Sequence, residues 1–182
     1  MAKGKEAFMK ILNVGCGAQT YGTHFLDIYP QRPDIIKYDA DKDKIPFNDR
    51  TFDEVYSENM LEHLKNPNMV LAEMVRVLKP GGRIIIITDN ASFWAYHMGA
   101  KTHYGGYEKR AGDTEDRHYA LYTSWHLYNH FKALNIKDLK IEYLTIKHKH
   151  STKMPVKIIS RLLGILAPHL ASPQIKIAGI KG

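Results

Sequence analysis

The chain has one cysteine among its 182 residues, and it has no long run of apolar residues. A single cysteine excludes an intramolecular disulfide framework and a cysteine-based zinc finger. The longest strongly apolar stretch, residues 84–87, is far shorter than the roughly 20 residues of a membrane-spanning helix. No signal-peptide pattern is present at the N-terminus. We therefore expect a soluble, cytoplasmic protein.

Basic and acidic residues nearly balance in the first half of the chain, whereas the second half has an excess of basic residues. Residues 1–91 hold 12 basic and 13 acidic side chains, whereas residues 92–182 hold 14 and 6. Such an asymmetry indicates either an anionic partner or a solvated basic face. The length and a hydrophobic content of 44% indicate a single domain that spans residues 1–182 and has one core.

Short β-rich runs alternate with helical segments along the first half. The runs with strand composition are 10–15, 24–28, 34–39, 51–57 and 83–88. An apolar stripe at helical spacing predicts a helix over 66–78, with Asn66 as its cap. This alternation predicts a parallel sheet with helices on its faces. Further helices are expected at 124–134 and 156–167, and further strands at 140–147 and 174–180.

Residues 91–120 lack a clean period and are rich in aromatic residues and glycine. A loop of this length in a compact domain is typical of a lid or a binding segment. We assign it as an acceptor lid between a cofactor-binding half, 1–90, and a basic C-terminal half, 121–182.

The first predicted strand ends in Asn13-Val-Gly15-Cys-Gly17. Glycines at this position let the backbone turn sharply and approach a ligand, although a tight turn alone can require them. The dinucleotide fingerprint G-x-G-x-x-G is not met, because Thr20 stands at its third glycine. A P-loop is excluded as well, since the chain has no Gly-Lys-Ser or Gly-Lys-Thr.

Two acidic residues follow the next predicted strands. Asp27 ends the second strand, where a carboxylate can accept hydrogen bonds from both hydroxyls of a ribose. Asp41 lies just beyond the third, where it could accept from an adenine amino group. Each alone could be a solvated loop residue. Together they indicate an adenosine pocket at the carboxyl edge of the sheet.

Five motifs occur in order at suitable spacing: Ile11-Leu-Asn-Val-Gly-Cys-Gly17, Ile45-Pro-Phe47, Phe52-Asp53, Asn59-Met-Leu-Glu-His-Leu64 and Val77-Leu-Lys-Pro-Gly-Gly-Arg83. Over residues 8–90 the chain resembles the class I S-adenosylmethionine-dependent methyltransferases, specifically the methyltransferase type 11 group. The resemblance extends weakly through Asp116-Arg-His118 and Tyr122. It implies an enzyme with a Rossmann-like, doubly wound, mostly parallel seven-stranded sheet whose last strand is antiparallel.

The resemblance also implies S-adenosylmethionine as cofactor, with S-adenosylhomocysteine as product. The residues implied to bind the cofactor are Asn13, Gly15, Gly17, Asp27, Asp41, Lys42, Ser57 and Asn59. Asp27 would hold the ribose, Asp41 the adenine amino group and the Lys42 amide the adenine ring. The others would line the methionine end and the sulfonium.

One departure from the family concerns the segment after the glycine turn. The family places a full helix there, whereas only ten residues separate Gly17 from Asp27. We therefore expect the helix to be nearly absent and Gln19-Thr-Tyr-Gly22 to form a loop over the cofactor. A register with Asp39 as the ribose acid is rejected, because Ile45-Pro-Phe47 would follow too closely for a third strand.

An oxygen acceptor would require a general base, most often histidine. The candidates are His63, His97, His103 and His118, and we favour His118 because its segment resembles the acceptor-facing region of the family. His63 is expected to be structural. His126 and His130 have metal-ligand spacing but no third ligand beside them, so no metal site is predicted.

The expected activity is methyl transfer to a small-molecule or glycan-like acceptor. The alternatives are an RNA or protein methyltransferase and a non-catalytic module that binds S-adenosylmethionine or nucleic acid. For the basic C-terminal half, we rank packing of the 156–167 helix on the sheet first. Binding to an anionic membrane surface through Ile159, Leu162, Leu163 and Leu166 comes second, and nucleic acid third.

Overall fold

The computed structural model describes residues 8–98, 107–109, 115–145 and 154–182. The strands are β1 Ile11–Val14, β2 His24–Asp27, β3 Ile35–Lys37, β4 Phe52–Glu58, β5 Leu78–Asp89, β6 Tyr107–Lys109, β7 Glu115–Arg117, β8 Ile136–Leu144 and β9 Gln174–Lys181. The α-helices are α1 Pro67–Val77, α2 Ser124–Ala133, α3 Met154–Leu166 and α4 Pro168–Ala171. Short 3₁₀ turns cover Leu61–His63 and Trp94–Met98.

Seven strands form one sheet in the order β3-β2-β1-β4-β5-β9-β8. The strands β1 to β5 pair in parallel, and β9 runs antiparallel to both β5 and β8. Six strands therefore share one direction, and the last strand opposes them, which confirms the predicted topology. The strand order reverses between β1 and β4, and the carboxyl edge at such a switch point is where open α/β sheets bind ligands.

The helices α1 and α2 cover one face of this sheet. The buried stripe of α1, with Val70, Leu71, Met74 and Val77, belongs to the same apolar core as Leu127 and Phe131 of α2. The predicted helix is one residue too long at each end. The chain passes directly from α1 into β5, because Leu78 already pairs with Phe52 of β4.

The segment between β1 and β2 contains no helix, which confirms the expected departure from the family. Polar contacts hold this loop against the second face of the sheet instead. Tyr21 Oη donates to Glu54 Oε1 over 2.5 Å, and Gln19 Nε2 donates to Glu58 Oε2 over 2.9 Å. Asn13 Nδ2 donates to the Tyr21 carbonyl over 2.9 Å. Alternate residues of β4 thus accept hydrogen bonds from the loop, while the residues between them face the core.

Gly15 and Gly17 provide a matched pair for testing the turn. Both have positive φ, +71° and +51°, but a Cβ on Gly15 would lie 2.6 Å from Met60 Cγ, whereas one on Gly17 would meet nothing within 4 Å. We expect Gly15→Ala to lower the free energy of unfolding by about 2–4 kcal/mol, since it adds a clash to the backbone strain. Gly17→Ala should cost about 1 kcal/mol, from backbone strain alone. Urea unfolding measures both, and equal losses would contradict this packing of Met60 on Gly15.

Candidate active site

The glycine turn and Asp27 form one hydrogen-bonded unit at the carboxyl edge of the sheet. The amides of Gly15 and Cys16 both donate to the Leu26 carbonyl, over 2.8 and 3.1 Å. The Gly17 amide donates to Asp27 Oδ2 over 2.7 Å, and Asp27 Oδ1 accepts from the Tyr29 amide over 2.8 Å. The carboxylate of Asp27 is therefore held in a fixed orientation beside the turn.

The space around the turn is uneven. Met60 fills the region above Gly15, while the position of a Cβ on Gly17 is open. Asn59 lies next to Met60 at the end of β4, with φ +54°, and its Oδ1 accepts from Gln174 Nε2 over 2.6 Å. The residues Gly15, Gly17, Asp27 and Asn59, which the sequence predicts as cofactor-binding, thus all follow or end strands at the same edge. Their roles stay predictions.

Cys16 lies inside the turn but offers no reactive thiolate. Its side chain is buried, and burial together with the Asp27 carboxylate raises the pKa of the thiol to about 11. A thiol with so high a pKa remains neutral at physiological pH and behaves as a small apolar group.

Asn13 and Ser57, also predicted to line the site, are buried in the protein. Both amide hydrogens of Asn13 are directed at the loop, to Gln19 Oε1 and the Tyr21 carbonyl. Ser57 pairs with Ile86 on the face that packs against the helices, and its Oγ has no hydrogen-bond partner among the described residues. The Asn13 side chain therefore stabilises the loop between β1 and β2 through hydrogen bonds. Ser57 lies on the face of β4 that packs against the core.

Asp41 and Lys42 have partners other than those that the sequence predicts. Asp41 Oδ1 accepts from the amides of Lys65 and Asn66, each over 2.9 Å, at the start of α1. A carboxylate is favourable there because the N-terminal amides of a helix lack internal acceptors. The Lys42 amide donates to the Asp39 carbonyl over 3.0 Å, inside a turn. Both groups thus stabilise local structure, and their predicted contacts with an adenine stay predictions.

A buried acid–histidine cluster lies at the ends of β4 and β5. His118 Nδ1 is 3.2 Å from Asp89 Oδ2, and the two side chains are only 13% and 6% exposed. The His63 ring stands nearly perpendicular to the His118 ring, with centroids 4.5 Å apart. The amides of Tyr119 and Ala120 donate to the Glu62 carbonyl, which fixes the segment that carries His118.

Glu62 is the most deeply buried acid of this cluster. Its Oε2 accepts from Thr88 Oγ1 over 2.7 Å. Burial and the nearby Asp89 carboxylate raise the pKa of Glu62 to about 7, against the opposing effects of the Thr88 hydrogen bond and His118. Glu62 therefore changes its charge near neutral pH.

Sequence reasoning predicted His118 but missed Asp89 and Glu62. Asp89 ends β5 in the same way that Asp27 ends β2. The strand-end rule that selected Asp27 would have selected Asp89 too. Glu62 gave no such signal, because its importance comes from burial in the folded chain.

The predicted lid is described in part. Residues 99–106 and 110–114 lie outside the described residues, as do the side chain of His97 and all of His103. Asn90 Nδ2 donates to the carbonyls of His169 and Ser172, each over 2.7 Å, so the start of the lid is fastened to α4. Trp94 Nε1 donates to Ser160 Oγ of α3 over 2.9 Å.

His126, considered above for metal spacing, instead caps α2 in a reciprocal arrangement with Thr123. Across the described ranges, no group of three or more His, Cys, Asp or Glu side chains is arranged to hold a metal ion. None of the helices in the part of the chain that the structure covers is both long and apolar enough to span a bilayer.

Part of the chain is similar in sequence to known methyltransferases. Residues 24–86 match a family model described as a methyltransferase domain. The chain is 41% identical over 56 residues to a demethylmenaquinone methyltransferase of Renibacterium salmoninarum, covering 31% of this chain and 24% of that protein. It is 42% identical over 65 residues to a sterol 4-C-methyltransferase of Caenorhabditis elegans, covering 36% and 19%. The chain thus matches about a quarter or less of these relatives' lengths.

Solved structures extend the likeness to the whole fold. A SAM-dependent methyltransferase from Archaeoglobus fulgidus superposes with a TM-score of 0.62 at 16% identity, over 95% of this chain and 86% of its own. A phosphoethanolamine N-methyltransferase 2 from Haemonchus contortus, solved with S-adenosyl-L-methionine, gives 0.55 at 16% identity, over 95% and 48%. The predicted resemblance to class I methyltransferases is therefore confirmed in motif and in fold.

Proposed function

We propose that this chain, which has the fold and the motifs of the class I S-adenosylmethionine-dependent methyltransferases, methylates a hydroxyl group of a small-molecule or glycan-like acceptor. The observation that carries the proposal is the His118–Asp89 pair, 3.2 Å apart and nearly buried, at the sheet edge that also holds the glycine turn. A neutral amine attacks through its lone pair without a base, whereas a hydroxyl must lose its proton.

The residues at the turn fit the cofactor. The Asp27 carboxylate accepts one backbone hydrogen bond on each oxygen, and its remaining lone pairs suit two ribose hydroxyls. The open position at Gly17 admits a ligand close to the backbone. When bound, S-adenosylmethionine supplies an electrophilic methyl group on a sulfonium, so the protein's main contribution is to align donor and acceptor.

His118 is suited to remove the acceptor proton. Nδ1 of His118 lies at ion-pair distance from Asp89 Oδ2, 3.2 Å, without a hydrogen bond between them in this structure. A neutral imidazole protonated on Nδ1 has its lone pair on Nε2. Nε2 then takes the proton that the hydroxyl loses, and the Asp89 carboxylate stabilises the charged ring. In this arrangement His118 is the catalytic residue, and Asp89 positions it.

The similar proteins do not share one kind of acceptor atom. The relatives include a sterol 4-C-methyltransferase and a ubiquinone biosynthesis O-methyltransferase, so their names cover both carbon and oxygen acceptors. The [4+2]-cyclase SpnF shares the fold at a TM-score of 0.53. Since a fold alone does not determine chemistry, the pair of His118 and Asp89 carries the assignment of base-assisted transfer.

Calorimetric titration with S-adenosylmethionine and S-adenosylhomocysteine tests the cofactor site. We expect binding in the micromolar range, weakened at least tenfold by Asp27→Ala, because two charge-assisted hydrogen bonds to the ribose are lost. Asp138→Asn is the matched control, since Asp138 is exposed on β8 and has a positive φ that asparagine tolerates.

Unchanged binding in the Asp27→Ala variant would reject this site. Absence of heat with both ligands in the wild type would reject the enzyme assignment altogether. Binding without any transferase activity would favour the non-catalytic module.

A further inference from the structure

We propose that α3 docks the protein on the surface of an anionic lipid bilayer. The basis is a helix that presents its apolar residues outward and its small and polar residues inward, with an exposed arginine at the edge of the apolar face. This inference is independent of the proposed methyl transfer.

The outward face of α3 is formed by exposed apolar side chains: Pro155, Ile158, Ile159, Leu162, Ile165 and Leu166. With 3.6 residues per turn, these positions fall within an arc of about 120°. The two most exposed, Ile165 at 80% and Leu166 at 87%, lie in the last turn of the helix. Packing of this apolar stripe on the sheet, the first-ranked expectation from the sequence, is therefore wrong.

The inward face shows why the helix adopts this orientation. Ser160 is buried, and its Oγ accepts the hydrogen bond from Trp94 Nε1. One turn later, Gly164 faces α4, where a Cβ would come within 3.9 Å of the Ala171 Cβ. Rotating α3 to bury its apolar arc would break the indole hydrogen bond and move bulky side chains into the space beside Ala171. The exposed arc is thus a fixed feature of the surface.

The charged residues near the apolar face of α3 favour an anionic partner. In α3 the charged residues are Lys157 and Arg161, both basic, and Arg161 is exposed at the edge of the apolar arc. From Lys132 to the end the chain has ten basic and two acidic residues. An apolar helix face with cations along one edge lies favourably at the boundary between acyl chains and anionic headgroups.

A second copy of the chain fits this face less well. A two-fold interface would bring the face against itself, so that the cations of α3 would oppose those of its partner. Like charges placed against each other at an interface are destabilising. Nucleic acid would satisfy the cations but would leave the apolar arc in water.

The position of α3 gives the docked state an orientation. Trp94, which contacts α3, and Asn90, which contacts α4, both belong to the segment that follows β5. Asp89, at the end of β5, belongs to the acid–histidine cluster. A bilayer against α3 would thus lie near the segment assigned as the acceptor lid.

Flotation with lipid vesicles tests the proposal. We expect the wild type to float with vesicles of phosphatidylcholine mixed with phosphatidylglycerol, to stay unbound with phosphatidylcholine alone, and to be released partly by high salt. The double variant Ile165→Asp, Leu166→Asp should lose at least tenfold in apparent affinity. The matched control is Trp125→Asp on α2, because Trp125 is 73% exposed outside the patch and its variant should bind normally.

Folding of each variant is checked by its thermal unfolding, which should not change because the altered side chains are largely solvated. Failure of the wild type to float would overturn the proposal, as would equal binding to both vesicle types or normal binding by the double variant. Light scattering measures whether the wild type and the double variant are monomers or dimers. A wild-type dimer that the double variant converts to a monomer would assign the face to a second copy and overturn the lipid proposal.

Discussion

Replacing His118 with asparagine is expected to lower kcat by about 10²–10⁴-fold, the usual contribution of a positioned general base. Asparagine retains a donor that can reach Asp89 but has no basic nitrogen to take the acceptor proton. The Kd for S-adenosylmethionine should not change, because the residues predicted to bind the cofactor lie on the glycine turn, at the ends of β2 and β4 and after β3, and not on the segment that carries His118. Measuring kcat and Kd on the same preparation separates loss of the base from loss of the fold.

Asp89→Asn provides the companion measurement. If Asp89 positions His118, the fall should be in kcat with little change in KM, and the pH profile of kcat should shift, since the ring loses the carboxylate that stabilises its charged form. His169→Asn is the control, because the exposed His169 side chain lies on α4 and only its carbonyl contacts Asn90. A kcat within about threefold of wild type for His118→Asn would contradict a general-base role.

Glu62→Gln is expected to stabilise the protein by up to roughly 3 kcal/mol at pH 8 and to have little effect near pH 4.5. The pKa of Glu62 rises from 4.5 in the unfolded chain to about 7 in the folded one. Between these values the folded chain holds a proton that the unfolded chain releases, so the free energy of unfolding falls as the pH rises. Above pH 7 the buried carboxylate remains ionised, and the loss is complete.

Glutamine keeps an oxygen for the Thr88 hydroxyl and cannot ionise, so this part of the pH dependence should disappear in the variant. Urea unfolding at a series of pH values provides the measurement. Glu142→Gln is the control, since Glu142 forms an exposed ion pair with Lys176 and should change stability by less than about 1 kcal/mol. Wild type and Glu62→Gln with parallel pH curves would show that Glu62 titrates as an ordinary surface acid.

The features predicted correctly rest on local rules. The glycine turn, strands β1 to β5 and α1 follow from backbone preferences and short-range periodicity. The missing first helix followed from counting the ten residues between Gly17 and Asp27. The seven-stranded, mostly parallel sheet with an antiparallel last strand came from the motif resemblance, and the antiparallel pairing of β9 with β5 and β8 bears it out.

The features missed depend on contacts between distant residues. Asp41 follows a strand, as the pattern indicates, but its hydrogen bonds to amides 24 and 25 positions later in the chain gave no signal in the sequence. The pairing of His118 with Asp89 likewise requires the folded chain. For α3, periodicity revealed an amphipathic helix but could not indicate which face points inward. That choice follows from Ser160 and Gly164, whose small size allows close packing.

Transfer of a labelled methyl group from S-adenosylmethionine to fractionated cell extract shows directly whether the protein is a methyltransferase and which class of acceptor it uses. We expect the wild type to label the small-molecule or glycan fraction, the label to be stable as in an ether, and His118→Asn to abolish it. Label found only in RNA or protein would contradict the assigned acceptor class. Absence of label in every fraction, with the cofactor bound, would contradict the assignment as a methyltransferase.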